Sequence, residues 1–334
     1  MMNELVQLGL DIYYGKTDKF SAEDANEAFR KSILEMCGGK VDYKSLSNPV
    51  TRYAVFNLIT ETIDTIIPRT LEGQFDQFVE TRNLGWGDQA VFEVSDPSLY
   101  KVATIANGTT NIRAQRLDKG SLIVPTKMKF VKIYEEFYRF ASGRIDWVDM
   151  VNRIAASFAL QIKTDIYAGI YSSYSTLNAT YGVTGTFSVP AFNTMVAHVS
   201  GAANTSEVAC FGTKLALAKV TPSQGFTAYP GLMTQDMMTQ VNKQGYIGNL
   251  QGTPLIELQN AHVPGTDNFV IDDSFILIVP MNSEKIVKLV FEGEAIMTDN
   301  AFDQNSDLSL EKGFGKMVGL GILSASKYGF LKLS

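Results

Sequence analysis

Between Gly73 and about Ser121 the pattern changes to short alternating segments with few core residues. Two short segments there alternate apolar and polar residues with a period of two, Phe75-Asp76-Gln77-Phe78-Val79-Glu80 and Gln89-Ala90-Val91-Phe92-Glu93-Val94. Gly85-Trp86-Gly87 and Asn107-Gly108 punctuate them, so the stretch reads as extended strands joined by turns. Isolated strands of this kind cannot bury themselves. The segment therefore either projects as a long hairpin or lies on a neighbouring subunit.

The composition points the same way. At 334 residues and 45% hydrophobic, the chain can bury a sizeable core in two ordinary domains or one large one. Charged residues make up only 19%, below the roughly 25% of an average soluble domain. With so little charge to cover its surface, a monomer would expose apolar patches, and such patches usually meet another subunit. A net charge of -6 argues against general affinity for nucleic acid, which needs clustered Lys and Arg. Cys37 and Cys210 fit neither a disulfide scaffold nor a zinc spacing and are expected to be buried free thiols in a reducing compartment. Met1 to Val6 lack the basic start and apolar run of a signal peptide, and no apolar stretch approaches the roughly 18 residues of a membrane span. The expectation is a soluble protein with no membrane partner.

Helical spacing of Ala25, Phe29, Ile33 and Met36 predicts a helix from Ser21, its N-cap, to Met36, with a break at Gly38-Gly39. Asn48 as cap and Pro49 at the first helical position predict a second helix whose stripe is Val55, Leu58, Ile59, Ile63 and Ile66, stopped by Pro68. Lys127-Met128-Lys129-Phe130 alternates and Val131-Lys132-Ile133 shifts phase, which predicts a bulged strand within a strand pair running to about Phe140. The clearest element is a helix from about Asp146 to Ser172, with Val151, Ile154, Ala155, Phe158, Ile162, Ile166 and Ile170 on one stripe. Its length suits a spine against which a sheet packs.

Leu177 to Asn193, rich in Thr, Ser, Gly and Ala, reads as a loop opening a second domain that runs to about Asp299. Within it, strands are expected at Val208–Phe211, Pro254–Leu258, Phe275–Pro280 and Ile286–Phe291, and helices at Thr213–Val220 and Met233–Asn242. Strands at Lys316–Ala325 and Lys327–Leu333 are expected to return to the strands near 127–140 and close the first domain.

No constellation of catalytic residues stands out. His198 and His262 lie far apart without an acid-rich neighbourhood. Gly313-Phe314-Gly315-Lys316-Met317 has the wrong glycine spacing for a phosphate loop, and Met317 stands where Ser or Thr would bind magnesium. Glu135-Glu136 and Asp272-Asp273 are adjacent pairs, which on a strand point to opposite faces. No catalytic residue, cofactor or metal is therefore expected.

One charge feature remains. Residues 113–144 hold eight Lys or Arg (Arg113, Arg116, Lys119, Lys127, Lys129, Lys132, Arg139, Arg144) against three acidic residues, a local net charge of +5. In an acidic protein such a stripe pairs with an acidic surface of another subunit, faces a polyanion, or is a solvated strand face that balances charge elsewhere, and the subunit contact is favoured over direct DNA contact. The candidates for inter-subunit contact are thus Gly85, Trp86, Arg113, Arg116, Lys119, Lys127 and Lys129.

The order of segments, an arm, an extended hairpin, a strand pair, a spine helix, a second domain and a returning strand, resembles the major capsid proteins of tailed phages. This is the HK97-like family, which also includes the encapsulins. The likeness is carried by the hairpin around Gly85-Trp86-Gly87, the spine from Ile145 to Ser172, Gly248-Asn249-Leu250-Gln251-Gly252-Thr253-Pro254-Leu255-Ile256, and the stretch from Asp272 to Phe291. The resemblance implies an α+β fold with an N-terminal arm (1–47), a joining helix (48–72), an extended E-loop hairpin (73–121), a peripheral domain with the spine (122–176 and 300–334) and an axial domain (177–299). It implies self-assembly into pentamers and hexamers of an icosahedral shell around a DNA genome, with the virion as location and the host cytoplasm as the place of assembly. Scaffolding and portal proteins are candidate partners, and packaged DNA would touch the inner surface non-specifically. Two alternatives differ in what they require. An encapsulin-like compartment needs an apolar groove for cargo on its interior, and a two-domain α/β enzyme needs a deep pocket with shifted carboxylates.

Overall fold

The computed structural model describes residues 22–40, 48–71, 75–95, 119–136, 147–221, 235–281, 284–299, 309–323 and 327–334, with a few isolated positions besides. Helix α1 (Ala22–Met36) buries Ile33 and ends against buried Cys37, after which Gly38 and Gly39 both take positive φ. Helix α2 (Pro49–Leu71) begins where Asn48 Oδ1 accepts from the Val50 N–H at 3.1 Å. It runs through Pro68 instead of stopping there. A proline in the last turn removes one backbone donor near the end of the helix, and the fully buried Ile66 and Ile67 hold that turn in the core.

Helix α3 (Trp147–Tyr174) is the spine, 28 residues and hence about 42 Å long. All seven residues of its expected stripe are buried. A four-stranded sheet packs on it, in the order β1 (Val79–Leu84), β10 (Val287–Asp299), β11 (Ser309–Ile322), β4 (Thr126–Glu136). The first pair is parallel and the other two are antiparallel.

Two expectations about this sheet are corrected. Val79–Leu84 does not pair with 90–95 but joins β10, because Phe78 and Val79 are buried in the main core and anchor the strand there. Nor does β4 carry a bulge: its register with β11 is unbroken from Thr126 to Glu136. The apparent phase shift arises because apolar residues occupy both faces. Val131 and Ile133 pack against the main core, whereas Met128 and Phe130 lie on the exposed outer face. The register shift sits in β10 instead, between Glu292 and Ile296.

The second sheet has six strands in the order β5 (Gly182–Gly185), β12 (Gly329–Leu333), β9 (Phe275–Pro280), β6 (Val208–Gly212), β8 (Thr253–Glu257), β7 (Asn249–Leu250). The returning strand β11 pairs with β4 as expected, but β12 enters this second sheet. Phe330, Leu331 and Leu333 are buried, and a strand apolar on both faces needs a central place, which β5 and β9 provide. The Ile286–Phe291 strand, expected in the second domain, lies in the four-stranded sheet as β10.

Helix α4 (Val189–Ala203) occupies part of the expected loop. Ser188 caps it and Pro190 sits in its first turn, while Phe192, Met195 and Val199 form a buried stripe beneath a Ser, Thr and Ala-rich exterior. Helices α5 (Lys214–Thr221) and α6 (Gln235–Gln244) complete this region. Residues of α4 and α5 pack with Cys210, Ile276, Ile278 and Leu331 on one face of the six-stranded sheet. The opposite face, with Ala209, Phe211, Leu277 and Phe330, joins α1, α2, α3 and the four-stranded sheet in one core.

Candidate assembly surface

The hairpin is a two-stranded ribbon, β2 (Ala90–Ser95) antiparallel to β3 (Lys119–Val124). Its alternation divides it into two faces. Ala90, Phe92 and Val124 turn inward and are buried with Val290 of β10, and Leu84 and Leu122 close the edge of the cluster. The cross-strand pair Val91 and Ile123 turns outward. The hairpin therefore has a root seated on the outer face of the four-stranded sheet.

Glycines in β11 make the seat. A Cβ on Gly321 would stand 2.7 Å from Val124 Cγ2, and one on Gly319 would stand 3.0 Å from the Pro125 carbonyl oxygen. Only a bare backbone lets the ribbon approach this closely.

Charge fixes the root at two points. At the first, the Phe92 ring is covered by Arg82, 4.1 Å from its centroid, and by the Lys288 ammonium at 5.4 Å. Lys288 is 1% exposed and pairs with Glu80 at 2.5 Å and Glu284 at 3.4 Å, while Arg82 reaches Glu80 at 2.8 Å. An Arg82 Nη1–H also donates to the Val91 carbonyl at 3.2 Å. Burial alone would raise the Glu80 carboxyl, but the hydrogen bonds from Lys288 and Arg82 outweigh it and hold the group below its ordinary value.

At the second point, Glu292 accepts from the Gly87 N–H at 3.0 Å and from the Thr126 hydroxyl. These two donors hold its carboxyl below the ordinary range. The next residue, Gly293, has φ +64 and lies under the Trp86 indole, whose Cε2 would be 2.2 Å from an added Cβ. Behind it the buried Lys316 ammonium donates to the Gly293 carbonyl at 2.9 Å and pairs with Asp64 of α2.

Several large apolar side chains are left in solvent. Beyond the ribbon, Lys101 and Gln115 exchange two hydrogen bonds of 2.8 and 2.7 Å, so the limbs meet again, and Tyr100 and Val102 beside them are exposed, Val102 at 95%. On the outer face of β4, Met128, Phe130 and Tyr134 are exposed. Phe130 lies across Gly313 and Gly315 of β11, where a Cβ would meet its ring at 2.2 and 2.8 Å. Among the described residues, these side chains present apolar surface to solvent.

The residues singled out from the sequence fall at different places. Gly85 and Trp86 lie in the exposed turn between β1 and β2, with Trp86 docked on Gly293. Lys119 opens β3 opposite Ser95, and Lys127 is exposed on β4. Lys129 turns towards the spine and pairs with Asp165 at 2.5 Å, and Lys132 pairs with Glu311. Arg113, Arg116, Arg139, Arg144 and the Lys119 side chain lie outside the described residues. Sequence reasoning missed Arg82, Lys288 and Glu292, whose partners are far along the chain, and it missed the outer face of β4. The spaced glycines of β11, opposite an apolar β4, were the signal for that face.

The titratable groups singled out from the sequence have structural surroundings where they are described. Cys210 is fully buried, which pushes its thiol up and away from reactivity. His262 stacks on Phe269. The Asp272 carboxylate accepts from the Ser274 N–H and hydroxyl, an ordinary turn. Among the described residues no group of three or more His, Cys, Asp or Glu is placed to hold a metal ion, and no helix is long and apolar enough to cross a membrane.

Comparison with solved structures shows what fold this is. The bacteriophage PhiM1 mature capsid matches with a TM-score of 0.54 at 9% identity, over 78% of this chain and 86% of that one. The capsid of the native GTA particle matches at 0.51 and 11% identity, over 81% and 90%. The cyanophage Pam1 capsid matches at 0.50 and 11%, over 78% and 92%. The architecture is thus the HK97-like phage capsid fold. A sequence search of curated proteins finds no match. A family profile described as "SPbeta prophage-derived putative capsid protein YonB" matches residues 1–329, and the chain belongs to that family.

Proposed function

We propose that the chain is the major structural subunit of an icosahedral phage capsid, associating with copies of itself into pentamers and hexamers that enclose DNA. The observation that carries this reading is the two-faced hairpin. Its inner face is anchored by Phe92 on its own sheet, while Val91 and Ile123 on its outer face, with Tyr100 and Val102 beyond, stay in solvent. A ribbon held so firmly at its root and so apolar on its free side is shaped to lie on a neighbour. The exposed Met128, Phe130 and Tyr134 offer a second contact surface.

The division of labour follows the sheets: an arm over 1–47, a joining helix over 48–72, an overlapping hairpin built on β2 and β3, a peripheral domain of α3 with the four-stranded sheet of β1, β10, β11 and β4, and an axial domain of α4, α5 and α6 with the six-stranded sheet that β12 completes. Many contacts of modest individual strength, repeated around a shell, sum to a stable particle. The basic residues Arg113, Arg116, Lys119 and Lys127 would meet acidic surfaces of neighbouring subunits. Scaffolding and portal proteins are the further partners in this reading, and DNA would contact the inner surface through charge alone.

The test is the mass of the purified full chain by sedimentation, compared with a V91D/I123D variant. Particles of many subunits are expected for the natural sequence, with the variant arrested at small species while keeping the same helix content. A natural chain that stays monomeric at high concentration contradicts the proposal.

A further inference from the structure

The root of the hairpin is held by two carboxylates at its two ends, and both are used entirely on groups of the same chain. Glu80 of β1 neutralises Lys288, which is buried beneath Phe92, and orients Arg82 over the other side of that ring. Glu292 of β10 ties the N–H of Gly87, just before β2, to the hydroxyl of Thr126, just after β3. One carboxylate thus staples both connections of the ribbon to the sheet. The other holds the cations that cap its main anchor.

The apolar part of the seat is small: Ala90, Phe92, Val124 and Val290, with Leu84 and Leu122 at its edge. The sheet beneath is fixed separately. Strand β11 binds β10 and β4 over long registers, and its inner face belongs to the main core. The ribbon and the sheet are therefore two units of different strength joined through charge.

We propose that Glu80 and Glu292 form a latch whose protonation releases β2 and β3 from the outer face of the four-stranded sheet while that sheet stays folded. A proton from solvent on Glu80 leaves the buried Lys288 ammonium with the Glu284 carboxylate at 3.4 Å and the Phe92 ring. A proton on Glu292 weakens the acceptor shared by Gly87 and Thr126. The other charged groups at the root are Arg82 on β1, Asp88 in the exposed turn, Glu284 and Glu294 flanking β10's paired segment, and the Lys316–Asp64 pair behind Gly293. Of these, Lys316–Asp64 joins the sheet to α2 and does not touch the ribbon. Both latch carboxyls lie below their ordinary values, so the latch is closed at neutral pH and opens only in acid. The proposal concerns the chain by itself and does not depend on whether it builds a shell.

The experiment is hydrogen exchange on the dilute full chain, resolved between β2–β3 and β10–β11, for the natural sequence and E80Q/E292Q at neutral pH. Charge-assisted hydrogen bonds of this kind predict that β2–β3 amides in the variant exchange about tenfold faster or more, with β10–β11 unchanged. T126V, which removes one donor and alters no charge, should give a smaller increase in the same strands. The chain with both glutamates intact, carrying W147F so that Trp86 alone reports, should show a reversible red shift of emission as pH falls below the ordinary carboxylate range, before helix signal is lost. Equal protection of β2–β3 in both chains overturns the proposal, as does equal loss in β10–β11. If the double variant does not fold, the acid titration decides: a Trp86 shift that coincides with loss of helix means there is no separate latch.

Discussion

Replacing Phe92 by Ala tests the claim that the hairpin is rooted by burial on its own sheet. The ring is 1% exposed, packs with Ala90, Val124 and Val290, and carries Arg82 and Lys288 on its faces. Truncating a buried Phe costs about 3–5 kcal/mol, of which the two cations account for roughly 1 kcal/mol. The loss falls on the ribbon. The main core contains none of the root residues, so α3 and β11 keep their packing. At 1.4 kcal/mol per decade, amide exchange in β2 and β3 should accelerate by about two to three orders of magnitude. V91A is the matched control, since Val91 is next in sequence but faces solvent, and it should alter exchange by less than about threefold. Exchange measured by mass spectrometry on peptides covering 90–95, 119–124 and 309–322 gives the answer. If F92A and V91A behave alike, or if F92A unfolds 309–322 together with the ribbon, the reasoning about a separately anchored root is wrong.

Other substitutions bear on the same frame. G293V places a side chain at φ +64 and against the Trp86 indole, so it should destabilise the β10 irregularity by about 1–3 kcal/mol and red-shift Trp86 emission; an unchanged melt and spectrum would refute the close approach. Asn204 ends α4 in the left-handed region at φ 51, so N204A should cost about 1 kcal/mol in thermal unfolding whereas N204G should be nearly neutral; equal effects would contradict the cap assignment. Acid should weaken the fold in a defined sense. The lowered carboxyls of Glu80 and Glu292 contribute stability that is complete above the unfolded-state value and lost as pH falls through the folded-state value, so the melting temperature should drop once pH falls below the ordinary carboxylate value, and a flat profile there would count against these charged contacts.

Some of this fold was legible because its signals were local. The α3 stripe repeats over seven positions, and an amphipathic helix of that length has few alternatives. Phe275–Pro280, almost wholly apolar, could only be a buried strand. The failures share a different cause. The α4 stripe was hidden by its Thr, Ala and Ser exterior, although Ser188 and Pro190 marked its start. Pro68 signals a stop locally, whereas the burial of Ile66 and Ile67 that carries the helix past it is a tertiary fact. Val79–Leu84 looked like a hairpin limb, since nothing in six residues announces a parallel partner some two hundred positions away.

The assembly surface was legible only in outline. The alternation of residues 89–94 marked a ribbon with an exposed apolar side, but the stretch before it is not short of core residues, since Phe75, Phe78 and Val79 are buried in the main core, and the ribbon's anchor depends on Arg82, Lys288 and Glu292, each a single charge in an otherwise ordinary strand. The basic stripe was a weaker guide. Lys129 and Lys132 turned out to serve Asp165 and Glu311 of their own chain, as charges on a strand beside a helix commonly do.

Negative-stain electron microscopy of the purified full chain tests the central claim most directly. The account predicts closed shells, or the five- and six-fold rings from which shells are built, formed by this chain with itself. A field of uniform monomers or small dimers at high protein concentration would contradict it.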